Sequence, residues 1–92
     1  MLYMVIEHFR EGPLPVYARF REKGRMLPDG LRYVNSWVTE DLQHCYQVME
    51  SDSPDLFAQW TKHWEDLADF EIVPVLTSAE ASRAAVSGTD RG

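Results

Sequence analysis

The stretch Leu31–Glu50, LRYVNSWVTEDLQHCYQVME, decides the fold. It reads as two strands folded back on each other through a short polar turn near Glu40–Gln43. β-branched and aromatic residues stand on both alternating sets of each strand, so neither face is built for water. With Thr39 opposite His44, Trp37 faces Tyr46, Asn35 faces Val48 and Tyr33 faces Glu50 on one side. The other side then carries Val34, Ser36, Val38, Cys45, Gln47 and Met49. Loop length alone sets this register, and a slip of one residue exchanges the faces.

On the N-terminal side, Leu2–Phe9 alternates as another strand. One face shows Leu2, Met4, Ile6 and His8, the other Tyr3, Val5, Glu7 and Phe9. Arg10–Pro15 is a loop with Gly12 and two prolines, and Pro15 suits the first turn of a helix. Val16, Tyr17, Phe20, Gly24 and Leu27 follow at helical spacing, with Arg19, Arg21, Glu22 and Arg25 mostly off that stripe. This helix ends by Leu27, because Pro28 disfavours helical geometry in the residue before it and Pro28-Asp29-Gly30 signals a turn.

On the C-terminal side, Ser53 is an N-cap and Pro54 opens a second helix. Its buried stripe is Leu56, Phe57, Trp60, Trp64 and Leu67, with His63 on the margin and Lys62 and Asp66 as an outward (i, i+4) pair. Phe70–Leu76 is the last strand, in which Pro74 marks an edge or a bulge. Thr77-Ser78-Ala79-Glu80 reads as a capping box for a short helix through about Val86. Residues 1–86 thus form a single domain, and residues 87–92 are expected to be a flexible tail.

The order β-α-β-β-α-β predicts an α+β, ferredoxin-like fold, a four-stranded antiparallel sheet with two helices on one face. The other face is also apolar and needs a cover that this chain does not contain. A second copy, sheet against sheet with twofold symmetry, is the simplest cover, so a homodimer is expected. Chains of this length bury only about 60–65% of their unfolded surface, which makes a partner subunit a common remedy. Apolar residues are 45% and charged residues 26% of the chain, ordinary for a soluble domain. The net charge of −6 argues against nucleic acid or an anionic membrane as partner. A lone cysteine, Cys45, excludes an internal disulfide and suits a reducing cytoplasm. The apolar N-terminus has no basic leader and is too short to span a bilayer.

Four blocks carry a resemblance: MLYMVIEHF, RFREKGRMLPDGLRYVNSWV, CYQVMES and WTKHWEDLADFEIVPVLTSAEA. Together, over roughly Met1 to Ala81, they resemble an uncharacterised bacterial domain-of-unknown-function family grouped with the dimeric α/β-barrel superfamily. That superfamily includes cofactor-free monooxygenases, haem-degrading enzymes, a polyketide cyclase, chlorite dismutase-like proteins and stress-responsive proteins. The resemblance implies a ligand pocket between the sheet and the helices of each subunit. It transfers no catalytic residue, because the near family has no established reaction.

The residues themselves offer a few candidates. Glu7 sits in an apolar strand, where a carboxylate is costly to bury unless paired or protonated. It is either a general base or ligand anchor with a raised pKa, or a structural partner for an arginine or a backbone amide. Tyr3, Tyr17, Trp37, Tyr46, Trp60 and Trp64 are candidate ligand-binding residues for a flat, mostly apolar molecule; their bland alternative is core and dimer interface. His63 borders the Trp60/Trp64 stripe and is the second catalytic candidate, as a proton shuttle or an axial haem ligand. His8, His44 and His63 show no metal-ligand spacing, so no metal site is expected. Arg19, Arg21, Lys23 and Arg25 either steer an anionic ligand or form a solvated helix face near a helix C-terminus. Cys45 lacks a local base and reads as a small buried side chain. There is no P-loop, Gly-rich dinucleotide turn or GxSxG elbow.

Two function classes follow. One is a homodimeric protein that binds a small, partly aromatic or apolar molecule without catalysis and without a cofactor. The other is a cofactor-free monooxygenase- or cyclase-like enzyme in which Glu7 or a histidine moves a proton. Haem binding is a third, weaker alternative.

Overall fold

The sheet hangs on its first strand. In the computed structural model, which describes residues 1–90 with side chains through Val86, β1 (Leu2–Phe9) pairs antiparallel with both β3 (His44–Ser51) and β4 (Ala68–Val75). β2 (Leu31–Val38) adds to the far side of β3, giving the order β2-β3-β1-β4. The described residues add three helices: α1 (Pro13–Lys23), α2 (Asp55–Thr61) and α3 (Ser78–Asp90). This is the ferredoxin-like α+β arrangement, with β2 and β4 as edge strands. Pro74 lies on β4, where its missing N–H faces outward at no cost to a ladder. Among the described residues, no helix is long and apolar enough to cross a membrane.

The alternation expected of β1 decides which face is covered. Tyr3, Val5, Glu7 and Phe9 are buried, as are Cys45, Gln47, Met49 and Ser51 on β3. Against them pack Phe57, Trp60 and Trp64 from α2 and the turn after it, so the α2 side of the core is closed. Tyr3 meets Phe57 edge-on with ring centroids 4.8 Å apart, and Trp60 meets Phe70 at 5.6 Å. The opposite face shows Met4, Ile6, Val48, Tyr46, Trp37 and Val73, none of them buried.

Four local expectations are corrected. The β2–β3 register holds from Trp37↔Tyr46 to Asn35↔Val48, but a bulge then places Tyr33 opposite Met49 and Arg32 opposite Glu50. The extra residue, Val34, moves Tyr33 to the helix-covered face. Helix α1 ends at Lys23, within the Leu27 limit, but Gly24 is its C-cap, so Gly24 and Leu27 are not part of its stripe. Asp66 pairs with Arg19, not Lys62: the guanidinium makes two hydrogen bonds to the carboxylate, at 2.7 and 2.8 Å, clipping α1 to the turn before β4. β4 starts at Ala68, two residues before Phe70.

The caps are largely as the sequence indicates. Ser53 Oγ accepts the Asp55 N–H, and Thr77 and Glu80 make the reciprocal bonds of a capping box, both at 3.1 Å. The helix they start runs to Asp90, past the end expected at about Val86, and residues 91–92 of the expected tail lie outside the described residues.

Candidate functional site

No residue of α1 is buried, although its apolar stripe reaches over the sheet. The space it leaves is a cavity of about 260 Å³ between α1, the sheet and the tryptophan wall. Val16, Tyr17 and Phe20 line it from α1, Trp60 and Trp64 from the other helical side. Its floor is Glu7 and Phe9 on β1, Cys45 and Gln47 on β3, and Ser36 and Val38 on β2. Arg25 enters from the loop between α1 and β2.

Arg25 owes its position to Gly24. The glycine takes φ 68 and ψ −162, a region open to glycine and closed to residues with a Cβ. Its N–H still bonds the Phe20 carbonyl at 2.7 Å, so the helix stops and the chain turns under it. Met26 follows with a left-handed φ of 60. For a residue with a Cβ this conformation costs about 1–2 kcal/mol, so tertiary contacts must hold it. They do: the Arg25 carbonyl accepts the indole N–H of both Trp60 (2.9 Å) and Trp64 (3.1 Å). Two bulky indoles thereby satisfy their only polar atoms and fix one backbone oxygen.

The polar groups on the floor form a chain. Arg25 Nε donates to Gln47 Oε1 at 3.2 Å, and Gln47 Nε2 donates to Glu7 Oε1, also at 3.2 Å. Burial pushes the Glu7 carboxyl up to about 7; a hydrogen bond with Cys45, the charge of Arg25 and the Gln47 amide oppose it only in part. Burial, reinforced by the Glu7 charge, pushes the Cys45 thiol up to about 12, so it is a neutral wall group and not a nucleophile at physiological pH. The cavity thus holds an acid that exchanges its proton near neutrality, beside a permanent cation and within an aromatic enclosure.

The other candidates are distributed as follows. Glu7, Tyr17, Trp60 and Trp64 meet at the cavity. Tyr3 is buried in the core against Phe57. Trp37 and Tyr46 face each other across β2 and β3 on the opposite side of the sheet and are exposed. His63 is exposed and outside the cavity lining; its backbone carbonyl accepts a hydrogen bond from Arg19. His8 and His44 face each other on the open sheet face, their rings tilted by 38° with centroids 4.9 Å apart. No group of three or more His, Cys, Asp or Glu among the described residues is placed to hold a metal ion.

A family model described as a domain of unknown function, DUF3303, matches residues 1–88. The chain belongs to the DUF3303 family. No curated protein and no solved structure matches it. For this DUF3303 chain, then, residue roles come from geometry. Gln47, Ser36 and Val38 are cavity residues that carry little sequence signal. The basic run Arg19–Arg25 leaves anion steering and a solvated helix face both open, and only Gly24 read as a helix stop would have turned Arg25 inward.

Proposed function

We propose that this DUF3303 protein is a homodimer, each subunit of which binds a small, partly aromatic molecule between its helices and its sheet. The incompletely filled core under α1 carries this proposal. A helix with an apolar stripe and no buried residue leaves hydrophobic area unsatisfied in the free protein, and a ligand completes it. An engineered apolar cavity of about 150 Å³ takes up benzene, so the space here suits a two-ring body. The open sheet face supports the dimer.

An uncharged two-ring aromatic, 2-naphthamide, is expected to give saturable heat in calorimetric titration of the wild type. Ser36→Phe, which fills the cavity from an edge strand, is expected to fold and to give none. Absence of binding to the wild type, or equal binding to the filled variant, would remove the proposal.

Catalysis without a cofactor is the second reading, and Glu7 favours it. A carboxyl with a pKa of about 7 facing a ligand space can take a proton and return it at neutral pH. Exchange of the activated C–H of an aryl 1,3-diketone with solvent deuterium is then expected to be faster with the wild type than with Glu7→Gln. Equal rates would eliminate it. Haem ligation by a histidine finds no support, since none of the three histidines lines the cavity.

A further inference from the structure

Resting on the cavity reading above, we infer that the cavity selects an organic anion, an aromatic body bearing a carboxylate, and that the Arg25 guanidinium is the anion's partner. The other arginines shown in ion pairs set the contrast. Arg10, Arg19 and Arg32 each hold an aspartate or glutamate at 3.0 Å or less. Arg25 has no carboxylate within ion-pair distance among the described residues, although it is half-buried and lines the cavity. Its one side-chain hydrogen bond there uses Nε, towards Gln47. The two terminal amino groups, the fork that grips a carboxylate, have no hydrogen-bond partner among the described residues.

The guanidinium is also flanked by two aromatic rings. Its central carbon lies 3.6 Å from the centroid of the Tyr33 ring and 5.0 Å from that of Phe20. Aromatic rings next to a guanidinium displace water from its faces while leaving its edge N–H groups directional. Tyr33 reaches this position only because the Val34 bulge turns it to the covered face, and its hydroxyl is fixed by Ser36 Oγ at 2.7 Å. The backbone beneath is pinned by the two indoles. A cation so oriented, with no carboxylate in its grasp, is a preorganised acceptor site for a planar anion. Glu7 does not substitute for that anion: Gln47 stands between the two in the hydrogen-bond chain, and burial favours the neutral acid.

The test compares 2-naphthoate with 2-naphthamide, which share one aromatic body and differ in charge. Calorimetric titration of the wild type at low salt is expected to favour the carboxylate by about tenfold or more. Arg25→Gln should abolish that preference while still binding the amide, and Arg25→Lys, which keeps the charge but loses the planar fork, should give an intermediate ratio. Equal affinity of the two probes for the wild type would overturn the anion inference and leave the aromatic cavity standing. Binding of neither would overturn the cavity reading and this inference with it. A carboxylate preference that survives in Arg25→Gln would overturn the role of Arg25.

Discussion

Glu7 concentrates the chemistry of the molecule in one side chain, and its environment makes a signed prediction. Its pKa rises from 4.5 in the unfolded chain to about 7 in the fold. Between those values the native state binds more protons than the unfolded state, so stability is full below pH 4.5 and falls as pH rises through 7. The burial of a charged carboxylate then costs roughly 3 kcal/mol above neutrality. Glu7→Gln, which imitates the protonated acid, should leave urea unfolding nearly unchanged at pH 4.5 and stabilise the protein by a similar amount at pH 8. No stabilisation at pH 8 would mean that Glu7 is charged and well paired. A lone acid in an alternating apolar strand made this residue legible in the sequence. Arg25 and Gln47 were not legible in the same way: one stands in a basic run that resembles a helix surface, the other in a strand where glutamine carries no signal.

Among the elements, α1 and β2 explain why the strands could be read more fully than the site. Alternation gave β1, β3 and the hairpin turn, because burial on one face is a constraint visible at period two. The end of α1 and the bulge in β2 depend on backbone conformation at single residues, Gly24 and Val34, and periodicity passes over both. These two irregularities bring Arg25 and Tyr33 together. Gly24→Ala should therefore lose about 1–3 kcal/mol from backbone strain. Crowding will not add to it, since a Cβ there meets nothing within 4 Å. Unfolding in urea measures the loss, and an unchanged midpoint would show that the turn tolerates a Cβ. The capping box of α3 behaves differently. Thr77→Ala should cost that helix about 1 kcal/mol. Faster hydrogen exchange at Ala81–Ala85 is the expected sign, with little change in the global midpoint, because none of Ser78–Val86 is buried. A fall in the global midpoint would instead mean that α3 docks on another surface.

For the whole molecule, the open sheet face sets the expectation. Met4, Ile6, Trp37, Tyr46, Val48 and Val73 leave one side of a small domain apolar, and chains of this size have little stability to spare. Sedimentation at micromolar concentration should show twice the chain mass. Trp37→Glu, which places a charge in the middle of that face, should give a monomer with a lower midpoint. A wild type that sediments as a monomer would remove the homodimer. The placement of the three tryptophans has a further consequence, an optical one. Trp60 and Trp64 are 2% and 5% exposed with their N–H groups committed, whereas Trp37 is 56% exposed. The first two should emit at shorter wavelength, and Trp37 should emit from water in the single subunit. A ligand in the cavity should change the blue component, and association through the open sheet face should shift the red one. The chain's own fluorescence thus separates occupancy from association without a label.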